Sequence, residues 1–157
     1  TGGTQVDGNT VFKEVASTTY YAHWEEATVF SVIVPAVLPV TVDQNGKVYV
    51  SNAEIVNHST AAVQVSSVTL TAENGWTLVP YASDMSHAKV DSNQIGFKIN
   101  SAQTSKTGST EQLVRTSPWQ INEEESLTLT YDAVVSALSQ PVTNANILCV
   151  LFVVEWA

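Results

Sequence analysis

Basic residues are scarce in this chain: six Lys and Arg stand against fifteen Asp and Glu, for a formal net charge of -9. They never cluster, which excludes the electrostatic footprint of a nucleic-acid binder and of a protein held on anionic membrane surfaces. Cysteine is nearly absent. Cys149 stands alone, so no internal disulfide framework exists. Its neighbours, Ile147-Leu148-Cys149-Val150-Leu151-Phe152, predict a buried thiol acting as a small hydrophobe. Long hydrophobic runs are missing as well: the longest reach about ten residues, against the ~20 that a membrane-spanning helix needs. No apolar leader opens the chain, so any signal peptide is expected to have been cut or left out.

Helical periodicity is nearly absent. What fills the sequence is β-branched residues in short alternating runs, broken by Ser, Thr, Asn and Gly, the spacing of a sandwich of strands. Thr28 to Val34 opens the main domain. Pro35 and Pro39 lack ladder donors, so Val34 to Val42 is expected at a sheet edge or changing sheets. Asn45-Gly46 between Val40-Thr41-Val42 and Lys47-Val48-Tyr49-Val50 predicts a hairpin, because both central positions of a type I′ turn need positive φ. Ala62 to Thr71 alternates but changes phase at Ser66-Ser67. One extra residue there keeps Val63, Val65, Val68 and Leu70 on one face, the signature of a β-bulge. Asn74-Gly75 turns the chain into Trp76-Thr77-Leu78. Asp84 to Lys89 is the one candidate helical turn. Ile95, Phe97 and Ile99 are expected inward with Lys98 outward. Ser101 to Thr110 reads as a mobile polar loop. Ser126 to Val134 alternates, and Asn146 to Trp156 reads as a central strand buried on both faces.

Chemistry-bearing constellations are thin. His23, His58 and His87 have no second His or Cys at ligand spacing, so no metal or cofactor is expected. Asp84 and His87 with Ser83 and Ser86 supply triad residue types, but no nucleophile elbow or phosphate-binding loop accompanies them, and the chain is read as non-enzymatic. Glu123-Glu124-Glu125 reads as a solvated turn. Asn57-His58-Ser59 is formally an N-glycosylation acceptor. Trp24, Trp76 and Trp156 are read as capping the ends of the core. Trp119, after Pro118, and Tyr81 are the candidates for stacking on a sugar ring.

Two stretches resemble known families. Thr1-Gly2-Gly3-Thr4, Val6, Thr10-Val11 and Thr19-Tyr20-Tyr21-Ala22-His23-Trp24 resemble the C-terminal half of the Listeria–Bacteroides repeat of internalin-type bacterial surface proteins. Val34 to Asp43, Ala53 to Ser59, Val68 to Leu78, Leu129 to Ala133 and Val153 to Trp156 are similar to a β-sandwich domain of Firmicutes cell-surface proteins. Camelysin-like fibre proteins share the strand-rich layout, and Trp76-Thr77-Leu78 matches the core triplet of WxL domains. These resemblances imply a secreted bacterial protein at the cell surface, without catalytic residues.

The expectation is therefore an all-β, antiparallel β-sandwich with Ig-like or jelly-roll-like layers over residues 27–157, preceded by a partial repeat over 1–26. Half a repeat cannot close its own core, so residues 1–26 are read as a strand-forming assembly or linker segment whose interface residues are Val11, Phe12, Val15, Tyr20, Tyr21 and Trp24. The function expected is that of an extracellular structural building block, self-associating with other copies or neighbouring surface modules by β-strand donation into a filament. The alternative is an adhesin or carbohydrate-binding module that uses Tyr81 and Trp119 on a glycan.

Overall fold

The computed structural model describes residue 9 and residues 27–43, 47–142 and 145–157. Val11, Phe12, Val15, Tyr20, Tyr21, Trp24 and the Asn45-Gly46 turn lie outside the described residues. What is described is all-β, as the alternation requires. The strands are β1 (Val32–Ile33), β2 (Val40–Val42), β3 (Val48–Val50), β4 (Ala53–Asn57), β5 (Val63–Ala72), β6 (Thr77–Leu78), β7 (Gln94–Ile99), β8 (Ala102–Gln103), β9 (Thr110–Gln112), β10 (Trp119–Ile121), β11 (Ser126–Leu129), β12 (Tyr131–Val135) and β13 (Leu148–Trp156).

β5 is the long central strand of one sheet, with β13 along one side and β9 and β10 in succession along the other, all antiparallel. The sheets β1-β4-β11 and β12-β7-β6, with β8 beside β7, and the hairpin β2-β3 pack around the same core. Ile55, Val63, Val65, Val68, Leu70, Phe97, Ile99 and Leu129 are all but sealed from water at its centre. The expected bulge is present. Val153 pairs with Ser67 and Val154 with Val65, which leaves Ser66 as the extra residue and keeps Val63, Val65, Val68 and Leu70 inward. The Arg115 guanidinium donates to the Val65 and Ser66 carbonyls that the irregularity exposes.

Asn74 (φ 52) and Gly75 (φ 81) form a tight turn closed by the Trp76 amide on the Glu73 carbonyl at 3.0 Å. It carries the chain between sheets, since β6 pairs in parallel with β7. Residues 34–39 likewise leave the β1 sheet and re-enter at β2, pinned where the Tyr131 hydroxyl donates to the Pro39 carbonyl at 2.9 Å. The helical turn of the middle segment is a 3-10 turn, Met85–His87.

Three expectations are corrected. β13 is paired on one side only among the described residues, where a strand flanked and buried on both sides was expected. Its side chains alternate between half-buried and exposed, and Cys149 is exposed where burial was expected. Residues 101–110 are held in place. β8 pairs with β7, Thr104 donates from Oγ1 to the Val79 carbonyl at 2.7 Å, and the buried Glu111 carboxylate accepts from the Ser105 amide and hydroxyl and the Lys106 amide.

Candidate functional site

The open edge of β13 is the feature that most resembles a site. Its backbone phase follows from its two ends. Glu73 donates to the Ile147 carbonyl and Ala157 donates to the Ala62 carbonyl, both at 3.0 Å. Hydrogen-bonded and non-bonded positions alternate along an antiparallel ladder. Cys149, Leu151, Val153 and Glu155 therefore turn their backbone toward β5, while Leu148, Val150, Phe152 and Val154 turn theirs outward. Among the described residues no strand meets those outward N–H and C=O groups. The side chains of these four are half-buried against the core. On the opposite face Leu151 is 58 % exposed and Val153 43 %.

The lip of the facing sheet is apolar too. Phe30 and Ile33 are 47 % and 56 % exposed, and the Phe30 ring meets Trp156 edge-on at 5.0 Å. Hydrogen bonds between Val29 and Thr60, and between Ser31 and His58 and Ser59, extend the β1–β4 pairing back to this lip. Soluble proteins usually blunt an edge of this length with Lys, Pro or a short strand. β13 has nine residues, and Glu155 is its one charge.

The second candidate surrounds Tyr81. Gly96 lets the Pro80–Tyr81 backbone pass close to β7: a Cβ there would come within 2.8 Å of the Tyr81 Cα. The Tyr81 hydroxyl donates to the Asp132 carboxylate at 2.6 Å, and the Lys98 ammonium lies 5.9 Å from the ring centre. That hydrogen bond, reinforced by partial burial and by the Asp132 charge, holds the phenol above the ordinary tyrosine range. Asn100, Thr130 and Tyr131 complete the rim of a depression of about 270 Å³, just under the ~300–1,000 Å³ of small-molecule pockets.

Trp119 does not join this surface. It is 7 % exposed on β10, with its indole N–H toward Ser101 Oγ at 3.4 Å and Arg115 over its ring at 5.6 Å. Its alternation on β10 puts it inward with Ile121, so it is a core residue and its face is closed to a sugar. Trp76 is buried as expected, whereas Trp156 is 39 % exposed at the open edge.

The remaining polar residues have structural partners. Asp84 Oδ1 accepts from the Ser86 amide and caps the 3-10 turn that carries His87, which accounts for its lowered pKa. His58 Nδ1 meets Glu124 at 3.2 Å on the surface. Asn57 is sealed, its Nδ2 donating to the Ala61, Ile121 and Asn122 carbonyls, so this acceptor is closed to glycosylation in the folded chain. Among the described residues no three His, Cys, Asp or Glu side chains converge as a metal site, and no helix is long and apolar enough to cross a membrane. No protein-family description, curated protein or solved structure matches this chain.

Proposed function

We propose that this protein is a non-catalytic extracellular building block that self-associates by β-strand donation at the bacterial cell surface. The observation that carries the reading is the β13 edge. Among the described residues it offers a row of backbone groups that no strand meets, above half-buried Val150, Phe152 and Val154 and bordered by exposed Leu151 and Val153. A further strand laid there would satisfy those groups and cover those side chains, adding roughly 1 kcal/mol per hydrogen bond and about 25 cal/mol per Å² of apolar surface removed from water. Residues 1–26, which resemble half of a β-rich surface repeat, supply a strand-competent segment. Light scattering and negative-stain microscopy of the intact chain and of residues 27–157 test this. Assemblies of the intact chain that vanish on truncation support the reading, and monomers in both cases refute it.

A second reading, a glycan-binding adhesin, is favoured by the cluster of Tyr81, Lys98 and Asp132, which combines a part-exposed ring with polar groups of both signs. Glycan-array binding that is lost in Tyr81→Ala supports it. Absence of binding by the parent chain removes it.

A further inference from the structure

The segment Thr18-Thr19-Tyr20-Tyr21-Ala22-His23-Trp24 alternates. In an extended strand, Thr18, Tyr20, Ala22 and Trp24 share one face and Thr19, Tyr21 and His23 the other. The first set is the apolar complement of half-buried Val150, Phe152 and Val154. Every pairing around β5 is antiparallel, and antiparallel ladders are the more stable per residue.

Direction decides which copy can supply the strand. Ala27 lies beside Thr60 and Ala61. Trp156 pairs with Val63 and Ala157 bonds to Ala62, so Ala27 marks the Trp156 end of β13. Trp24 precedes Ala27 by three residues and stays within about 11 Å of it even when fully extended. An antiparallel donor would place Trp24 at the Leu148 end, about 26 Å away along the strand. The chain's own segment reaches the edge only in parallel; a neighbour's has no such tether. Resting on the strand-donation reading above, we propose that the β13 edge receives residues 17–24 of a second copy of this chain, running antiparallel.

Cys149 is the natural probe, exposed on β13 and unique in the chain. In the antiparallel arrangement with Trp24 opposite Leu148, residue 23 faces Cys149 at a non-hydrogen-bonded position, where Cα atoms lie ~4.5 Å apart, within disulfide range. Slipping the register by two residues brings residue 25 there instead. In the parallel arrangement within one chain, residue 17 takes that place. Full-length His23→Cys, Glu25→Cys and Ser17→Cys, each retaining Cys149, are oxidised mildly, run on non-reducing gels and imaged beside the parent. The expected result is a ladder of covalent oligomers from His23→Cys or Glu25→Cys, at least tenfold stronger than from Ser17→Cys and abolished by reductant. A fast-migrating monomer or a ladder led by Ser17→Cys overturns the antiparallel second-copy assignment. Filaments without any cross-link leave strand donation standing elsewhere and remove β13 as its acceptor. The absence of both filaments and cross-links refutes the strand-donation reading itself.

Discussion

Replacing Asn57 by alanine removes one side chain that holds four backbone groups at a junction between strands. Its Nδ2 donates to the Ala61 carbonyl at 3.0 Å, the Ile121 carbonyl at 3.2 Å and the Asn122 carbonyl at 2.9 Å, while its Oδ1 accepts from the Ser59 amide at 2.9 Å. These bonds tie the end of β4 to the turn before β5 and to the end of β10. Each is worth roughly 0.5–1.5 kcal/mol net, and a buried group left unpaired costs toward the upper figure. The Ala61 and Asn122 carbonyls are only part-buried and water can reach them, and Ile121 keeps its ladder pairing with Val63, whereas the buried Ser59 amide loses the side-chain oxygen it donates to. A loss of about 2–3 kcal/mol follows, which at ~2–4 °C per kcal/mol for a chain of this size lowers Tm by about 5–10 °C. Asn57→Asp should be worse at neutral pH, because it replaces the donor with a carboxylate facing three carbonyls. Burial beside those dipoles raises the new carboxyl's folded pKa above its unfolded value. The unfolded state then binds fewer protons in the intervening window, so stability is present at low pH and falls as pH rises through it. Urea unfolding followed by circular dichroism at several pH values measures both variants. A cost below about 1 kcal/mol for Asn57→Ala, or an Asn57→Asp variant that gains stability with rising pH, would refute the assignment of Asn57 as the tie.

Leu151→Lys places a charge on the exposed face of the open edge and should abolish self-association while shifting stability by no more than about 0.5 kcal/mol; sedimentation and urea melts read the two effects separately. Gly96→Ala drives a Cβ against Tyr81 Cα and the Pro80 carbonyl oxygen at 2.8 and 2.9 Å and should cost about 1–3 kcal/mol in the same melts. The Tyr81 phenol should titrate above 10.0 and fall back in Asp132→Asn, as followed by tyrosinate absorbance. Because its folded value is the raised one, the hydrogen bond contributes below pH 10 and is lost as pH climbs through the folded value. Self-association should strengthen with added salt, since copies carrying -9 each repel less as the screening length shortens; light scattering that weakens with salt contradicts an edge-driven contact.

Local patterns were readable from the sequence where a side chain's face is set by its immediate neighbours. The phase slip at Ser66-Ser67 located the bulge because a period of two makes one extra residue visible, and Ile95, Phe97 and Ile99 fell inward for the same reason. The apolar run of β13 reads as buried on both faces, whereas one of its faces is exposed, because composition does not reveal what a strand packs against. Whether a strand is central or at an edge depends on pairing between residues such as Phe152 and Val68, far apart in the chain. Trp119 reads as a sugar-stacking candidate because a three-residue strand after a proline carries too little alternation to fix its face. The partners of Tyr81 are invisible in sequence for a related reason: Asp132 lies 51 residues away, and the pairing of β7 with β12 and the close Gly96 approach bring the two together. Glu111 gave no signal at all, since a carboxylate that caps the loop of residues 105 and 106 looks in sequence like any surface acid.

The acidity of the chain and the openness of its edge act over different distances. Repulsion between copies extends about 8–10 Å at moderate salt and opposes every mode of contact alike. Backbone pairing acts only below ~3.2 Å between donor and acceptor and is available only where N–H and C=O groups stand unpaired. The outer face beside β13 is polar on β5, where Gln64, Thr69 and Thr71 are part-exposed, so stacking face to face would bury hydrophilic groups for little return. Adding a strand along the edge instead covers Val150, Phe152 and Val154, which are already half out of water. Charge repulsion thus disfavours loose association, while the strand pairing proposed above would act as one register-specific contact against it. On that proposal, ordered assembly is favoured over nonspecific clumping, and an acidic domain can keep a nine-residue strand whose one charge is Glu155.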